Sequence, residues 1–416
     1  MPSAGTAGSF RSRVARQRVL VVFVDALGPR QLERFGRRLD SLPHRRQLEG
    51  ILGYTSGALP TILTGASPRM HGRMCLFTER KKGEPHLLAP LSWLGLLPRL
   101  VHERRRVRRV VERWLTSKHG LTGYVALHKV PPEHFRWLAI PEHDDLFGAP
   151  DIGGARTFLA DAREAGISVY ASPWQTPEPR RWEEAHAVLE AEPPDLAFLY
   201  SAELDALLHL EGNDGPKARR AAERISENVE RARHAMARGN ADVVTFVVGD
   251  HGMADIRATI DPRALLRRLG GTRAFADSTM LRLWGNPGEL ERARDCLEAT
   301  RWPGTWMNLA KLRESQVPTK NAPYGNAFFV LDEGLMFAPS FLGGAAAGMH
   351  GYGLASPSCF AALASDCPLP GDVRSLTDVA PLVRAALGLP AASAAASADL
   401  AVPSESSVLI DPLSIN

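Results

Sequence analysis

The sequence predicts an α/β protein built on a mostly parallel sheet, with a small α+β subdomain inserted late in the chain. Three runs carry that expectation: "RVLVVFVDALG" (18–28), "DLAFLYSAELD" (195–205) and "DVVTFVVGDHG" (242–252). Each is apolar on both faces, as buried strands of parallel sheets are, and each closes on acid or histidine. Open α/β sheets place their ligands at the carboxyl ends of the strands, so the three runs deliver their polar residues to one edge. Amphipathic helical patterns alternate with them, "GGARTFLADAREAG" (153–166) before the short strand "ISVYAS" and "KARRAAERISENVERARHAMARG" (217–239) before the third run. Strand and helix in alternation define the class.

Taken in order, residues 18–73 form the first part of the core and 74–149 an insertion holding an Arg-rich helix. The core resumes over 150–255. Residues 256–345 follow as an inserted cap, with helices in "DPRALLRRLG" and "GELERARDCLEAT" and strands in "STMLRLWG" and "NAFFVLDEG". Residues 346–390 close the core with "SLTDVAPLVRAALGLP", a helix with Ser375 or Thr377 near its start and Gly388-Leu389-Pro390 at its end. The remainder, 391–416, is a low-complexity tail.

A chain of 416 residues with 44% hydrophobic and 23% charged residues is of globular type. The net charge of +4 is local: residues 99–113, "RLVHERRRVRRVVER", hold seven Arg and two Glu, a balance of +5 that leaves −1 for the rest. The bland reading of that stretch is a solvated helix face. The alternative is an anionic surface or a lipid-linked substrate, because Trp93, Leu94, Leu96 and Leu97 just precede it. Four cysteines without CxxC spacing speak against a zinc ribbon or a disulfide scaffold and for a reducing, cytoplasmic setting. The basic lead "MPSAGTAGSFRSRVARQR" lacks an apolar core of signal-peptide type. No run reaches the roughly 18 to 20 apolar residues of a membrane span, and no specific nucleic-acid motif is present.

Chemistry-bearing residues gather at the strand ends. Asp25 ends the first run, and Asp205 and His209 stand four apart in "ELDALLHLEG", on one face of any helix that begins there. Asp250 and His251 are neighbours in the glycine-flanked "GDHG", and His350 is glycine-flanked in "GMHGYG". Each alone has a structural explanation, as a cap, a turn residue or a loop histidine. Together they are three Asp and three His suited to N/O coordination of divalent cations. Two such trios with a bridging hydroxyl describe a two-metal phosphoryl-transfer site. Hydroxyls are plentiful in the loop-like stretch "LGYTSGALPTILTGASPRMHG" (52–72), which carries Thr55, Ser56, Thr61, Thr64 and Ser67.

The order of these motifs, Asp25, "LTGASPRMHG", "ELDALLH", "GDHGM" and "GMHGY", resembles the alkaline phosphatase superfamily, and within it the type I phosphodiesterase/nucleotide pyrophosphatase family, to which phosphonoacetate hydrolase is also similar. The resemblance runs from about residue 18 to 390 and implies a three-layer α/β/α sandwich. It implies two divalent ions, zinc first, with manganese or iron also suited to Asp/His donors. Asp205, His209 and His350 match the ligands of one ion, and Asp25, Asp250 and His251 those of the other, which also holds the nucleophile. That nucleophile stands nine residues before the Thr of the "TG" pair, which carries to Thr55. Its attack on a small phosphorylated substrate gives a phosphothreonine intermediate.

The match has departures. Many relatives have Lys before the threonine and Phe-Pro-Asn after it. Here Tyr54 precedes it and Ser56, Gly57 and Ala58 follow, so Ser56 competes for the role. His71 matches a structural turn of the family rather than a ligand. The resemblance leaves open a phosphotransferase that passes the phosphoryl or phospho-head-group to an alcohol. A phosphonate or phosphomonoester hydrolase also fits it, as does a protein that keeps the fold without turnover.

Overall fold

A computed structural model of the chain describes residues 17–35, 39–81, 83–84, 87–96, 105–270 and 272–391. The basic lead up to residue 16, positions 97–104 at the start of the Arg-rich stretch, and the low-complexity tail from 392 lie outside the described residues. The strands of the two main sheets are β1 (Arg18–Val24), β2 (His44–Leu48), β3 (Val169–Ala171), β4 (Leu196–Ser201) and β5 (Val243–Val248). They continue with β6 (Arg273–Ala276), β7 (Met280–Trp284), β8 (Gly304–Met307), β9 (Ala327–Leu331) and β10 (Ala361–Ser365). The main helices are α1 (Pro29–Phe35), α2 (Thr55–Thr64), α3 (Arg105–His119), α4 (Phe158–Glu164) and α5 (Glu178–Ala191). After them come α6 (Glu203–Glu211), α7 (Pro216–Met236), α8 (Pro287–Glu298) and α9 (Val379–Ala386).

The core sheet has the order β2-β10-β5-β1-β4-β3. β1 runs parallel to β4 and β5, and β3 parallel to β4, while β10 is antiparallel to β5 and β2. β1 is central because its side chains are apolar on both faces. Val19, Val21 and Phe23 enter one layer with Leu59 and Ile62 of α2, Phe158 of α4 and Val379 of α9. Leu20, Val22 and Val24 enter the other with Leu32 of α1, Trp182 of α5 and Ile225 and Val229 of α7. The result is the expected three-layer α/β/α sandwich. Each of those six β1 side chains is fully buried, and burial of this kind stabilises by about 1.5–3 kcal/mol per large aliphatic side chain.

Two local expectations change. The hydroxyl-rich stretch is not a loop from end to end: Thr55–Thr64 is helical despite Pro60, and everything from Gly57 to Thr64 is buried. Packing of Leu59, Ile62 and Leu63 against the sheet overrides the weak helix propensity of Ser, Thr and Gly. Conversely, the helix expected over 153–166 begins only at Phe158, since Asp151–Ile152 and Ala155–Arg156 pair as a small hairpin and Thr157 caps the helix through Ala160 N–H.

Between β5 and β10 the chain forms an antiparallel sheet of order β6-β7-β9-β8. Its outer face packs on α8 and a short helix, Arg263–Arg268, through Leu265, Ala293 and Leu297. On the inner face, Met280, Phe328 and Val330 meet Leu52, Met74 and Cys75 beside α2. Phe275 and Trp284 pack against Phe77, Leu115 and Phe135. Arg282 is fully buried at this junction, 2.5 Å from Asp277 Oδ2 and 2.8 Å from the Phe77 carbonyl, with its guanidinium over the Phe275 ring. Among the described residues no helix is long and apolar enough to cross a membrane.

Candidate active site

The carboxyl ends of β1, β4 and β5, three adjacent strands, set out most of the site. Asp25 directly follows β1, and Asp250 and His251 follow β5. A side chain at Gly249 would put its Cβ 2.1 Å from the Leu27 carbonyl, so only glycine lets the end of β5 close on the turn after β1. Asp250 Oδ1 ties the two turns together, accepting from Ala26 N–H at 3.1 Å and from His251 N–H at 3.0 Å. Asp205 and His209 lie on α6, which starts where β4 ends, with His209 Nε2 3.2 Å from Asp205 Oδ1. His350 comes from the chain just after Gly348–Met349, which pairs with Ala254–Asp255.

The six residues form two donor groups. In Asp25, Asp250 and His251, and again in Asp205, His209 and His350, the ligand atoms all lie within 4.8 Å of one another. Two histidines have their tautomers set by carbonyls: His251 Nδ1–H donates to Gly252 O at 2.9 Å and His209 Nδ1–H to Gly348 O at 2.8 Å. Their Nε2 atoms are thereby left as acceptors facing the carboxylates. The His251 and His350 rings stack at 3.6 Å, which places the two groups side by side.

The residues fit metal ions. Asp205 Oδ1, Asp250 Oδ2 and His350 Nδ1 are buried without a hydrogen-bond partner, an arrangement costly in an ordinary interior. Burial, then the nearby Asp250 and Asp205 carboxylates, push the Asp25 pKa well above the usual carboxylate range. Burial works against protonation of His251, but the Asp250 carboxylate, helped by Asp205 and the Gly252 carbonyl, leaves its pKa raised. Burial, then the neighbouring His251 and His209, depress that of His350. Three carboxylates crowded into a buried space are electrostatically relieved by divalent cations.

The hydroxyls separate by direction. Thr55 opens α2 and puts Oγ1 3.4 Å from Asp25 Oδ1 and 3.1 Å from His251 Nε2. Ser56 donates instead to the Met74 carbonyl at 3.2 Å. Thr61 donates to Gly57 O, Thr64 to Pro60 O, and Ser67 to Gln316 Oε1. His71 has both ring nitrogens engaged, with Nδ1 accepting from Arg73 N–H and Nε2 2.9 Å from Thr61 Oγ1. Burial lowers its pKa to about 3. The start of α2 has no side-chain cap, so its positive dipole end faces the site beside Thr55.

Sequence reasoning missed the support behind this arrangement. Tyr54 OH lies 3.1 Å from Oγ1 of Thr279, the residue before β7, and Thr279 donates to the Gly351 carbonyl at 2.7 Å. The Tyr54 ring stands edge-on to His350 at 5.5 Å. Tyr54 was visible only as a departure from the family pattern, and Thr279 carries no sequence signal at all.

The sequence profile of the type I phosphodiesterase/nucleotide pyrophosphatase family matches residues 19–352. The chain belongs to that family. It is a phosphoric ester hydrolase of the phosphodiesterase type. A search of curated protein sequences gives no match. Among solved structures, human ectonucleotide pyrophosphatase/phosphodiesterase 5 is similar at 15% identity and a TM-score of 0.63, with 91% of this chain and 96% of that chain covered. The murine protein of the same name gives 17% identity and a TM-score of 0.64 over the same shares. An inactive threonine-to-alanine variant of the murine protein in complex with AMP gives 17% and 0.62, again over 91% and 96%. At these identities the likeness is one of fold.

Proposed function

We propose that this phosphodiesterase works with two divalent metal ions and through a covalent intermediate on Thr55, acting on a small phosphodiester of nucleotide type. The observation that carries the reading is the position of Thr55 Oγ1 against Asp25 and His251, at the edge of one donor group with the second alongside. Asp25, Asp250 and His251 would hold one ion and Asp205, His209 and His350 the other. Zinc suits these donors first, with manganese or iron acceptable. Such ions supply Lewis acidity that makes a hydroxyl nucleophilic at neutral pH and offsets charge on the leaving oxygen. Thr55 Oγ forms a bond to phosphorus as the ester P–O bond breaks, and hydrolysis of the Thr55 ester then frees the enzyme. The α2 amino terminus orients the anionic phosphoryl group. The AMP complex of the inactive murine threonine-to-alanine variant supports both the substrate class and a threonine nucleophile. The four unpaired cysteines support a reducing, cytoplasmic setting.

The test is a rapid acid quench with bis-nitrophenyl phosphate, followed by peptide mass spectrometry. A burst of one nitrophenol per enzyme and a nitrophenyl phosphate ester on Thr55 are expected. Linear release with no modified Thr55 would rule out the covalent route. For the metals, chelation should abolish turnover and zinc or manganese restore it. Full activity in a protein free of metal by elemental analysis would end the two-ion reading.

A further inference from the structure

A cavity of about 1220 Å³ opens between the segment after α2 (Arg69–Arg73), the 74–149 insertion and the cap near Arg313–Pro323. None of the metal-donor residues lines it. Its walls carry Arg69, Arg73, Arg313 and Lys320, together with Lys81 and two histidines, His119 and His143. Both acids on the wall are engaged, Glu79 with Arg273 and Glu84 with Lys81. Arg69, Arg313 and Lys320 have no ion-pair partner among the described residues, while the charge of Arg73 acts on the buried Glu142 carboxyl. Apolar side chains, Leu88, Leu121, Leu138 and Ile140, also line the cavity.

We propose that this cleft is a second binding site, for a small polyanion whose charge is carried by a chain of phosphate groups. Three unpaired cations, with Arg73 beside them and no unpaired acid on the wall, favour a multiply charged ligand, and the arginine forks match phosphoryl oxygens. A bounded cleft of this size takes a small molecule rather than a polymer. The site connects to the catalytic region through the chain that follows α2. Arg73 N–H donates to His71, and the next residue, Met74, accepts from Tyr54 N–H and Ser56 Oγ. The proposal does not depend on the reading of the metal centre.

Calorimetric titration of the full chain with inorganic tripolyphosphate at physiological salt tests it. Reversing two exposed charges, Arg313→Glu with Lys320→Glu, should weaken binding at least about tenfold. Hydrolysis of bis-nitrophenyl phosphate should stay within about twofold, since the reacting groups are untouched, and an unchanged melting profile serves as the folding control. An Asp250→Asn variant, impaired at the metal centre, should bind tripolyphosphate like wild type. Equal binding by the double variant overturns the proposal, as does loss of binding in Asp250→Asn, which would place the anion at the metals. A non-hydrolysable methylene analogue of a nucleoside triphosphate separates the sources. Tighter binding than tripolyphosphate assigns the base to the apolar wall, and equal binding assigns the site to the phosphate chain alone.

Discussion

Thr55 Oγ1 lies 3.1 Å from Nε2 of His251, while the hydroxyl of Ser56, one residue later, donates to the Met74 carbonyl. Successive side chains at a helix start point about 100° apart, so only one of the two can face the donor groups. Thr55→Ala should therefore lower kcat on the order of 10³-fold or more. Ser56→Ala should change it by less than about threefold and cost about 1 kcal/mol of stability for the lost bond. Steady-state rates on bis-nitrophenyl phosphate decide this, and the reverse ranking would transfer the nucleophile to Ser56.

Gly351 has φ +88°, and a Cβ there would sit 2.5 Å from the Tyr54 ring. Gly351→Ala must either strain the backbone or displace Tyr54, at a cost of about 1–3 kcal/mol. Because His350 is the preceding residue, activity should fall more than folding does. Tyr54→Phe loses the hydroxyl's bonds to Thr279 Oγ1 and from Thr279 N–H, while Thr279 Oγ1 still donates to Gly351 O, and should cost about 1 kcal/mol. Thermal melts alongside kcat measurements test the ranking, and an alanine at 351 with wild-type kcat would refute it.

Arg282 and Asp277 pair in full burial, yet the two halves should not be equivalent. Burial already raises the Asp277 pKa, so in Arg282→Met the carboxyl can take up a proton and become neutral. A guanidinium cannot shed its charge, and Asp277→Asn leaves it uncompensated, at about 3–5 kcal/mol. Urea unfolding should rank Asp277→Asn as the more damaging change. Equal destabilisation would show that charge burial does not govern this junction.

Two buried groups give stability opposite pH slopes. His71 titrates near 3 in the fold against 6.5 ordinarily, so the unfolded chain gains a proton first and stability falls as pH drops from 6.5 towards 3. Burial raises Glu142 to about 7 from 4.5. The fold then keeps a proton that the unfolded chain has lost, and stability falls as pH rises from 4.5 through 7, by on the order of 3 kcal/mol in all. Glu142→Gln keeps an acceptor for Tyr124 N–H and should flatten only the upper slope. Parallel wild-type and variant curves between pH 5 and 8 would contradict this.

The sequence by itself determined the sheet interior and the edge where the two donor groups gather. β1, β4 and β5 are legible because strands buried on both faces must be apolar throughout, and Asp25, Asp205, His209, Asp250 and His251 are placed by their spacing from those strand ends. It did not reveal β2, where exposed Arg45 and Gln47 alternate with half-buried His44 and Arg46 at the sheet edge, nor β10, whose alanines carry little strand preference. Only tertiary structure decided that Thr55 rather than Ser56 faces His251, since that choice depends on the rotation of α2 against the sheet. It alone brought His350 next to His251, 99 positions apart in the chain, and set Thr279 behind Tyr54. Those contacts join segments distant in sequence, and no local propensity encodes them.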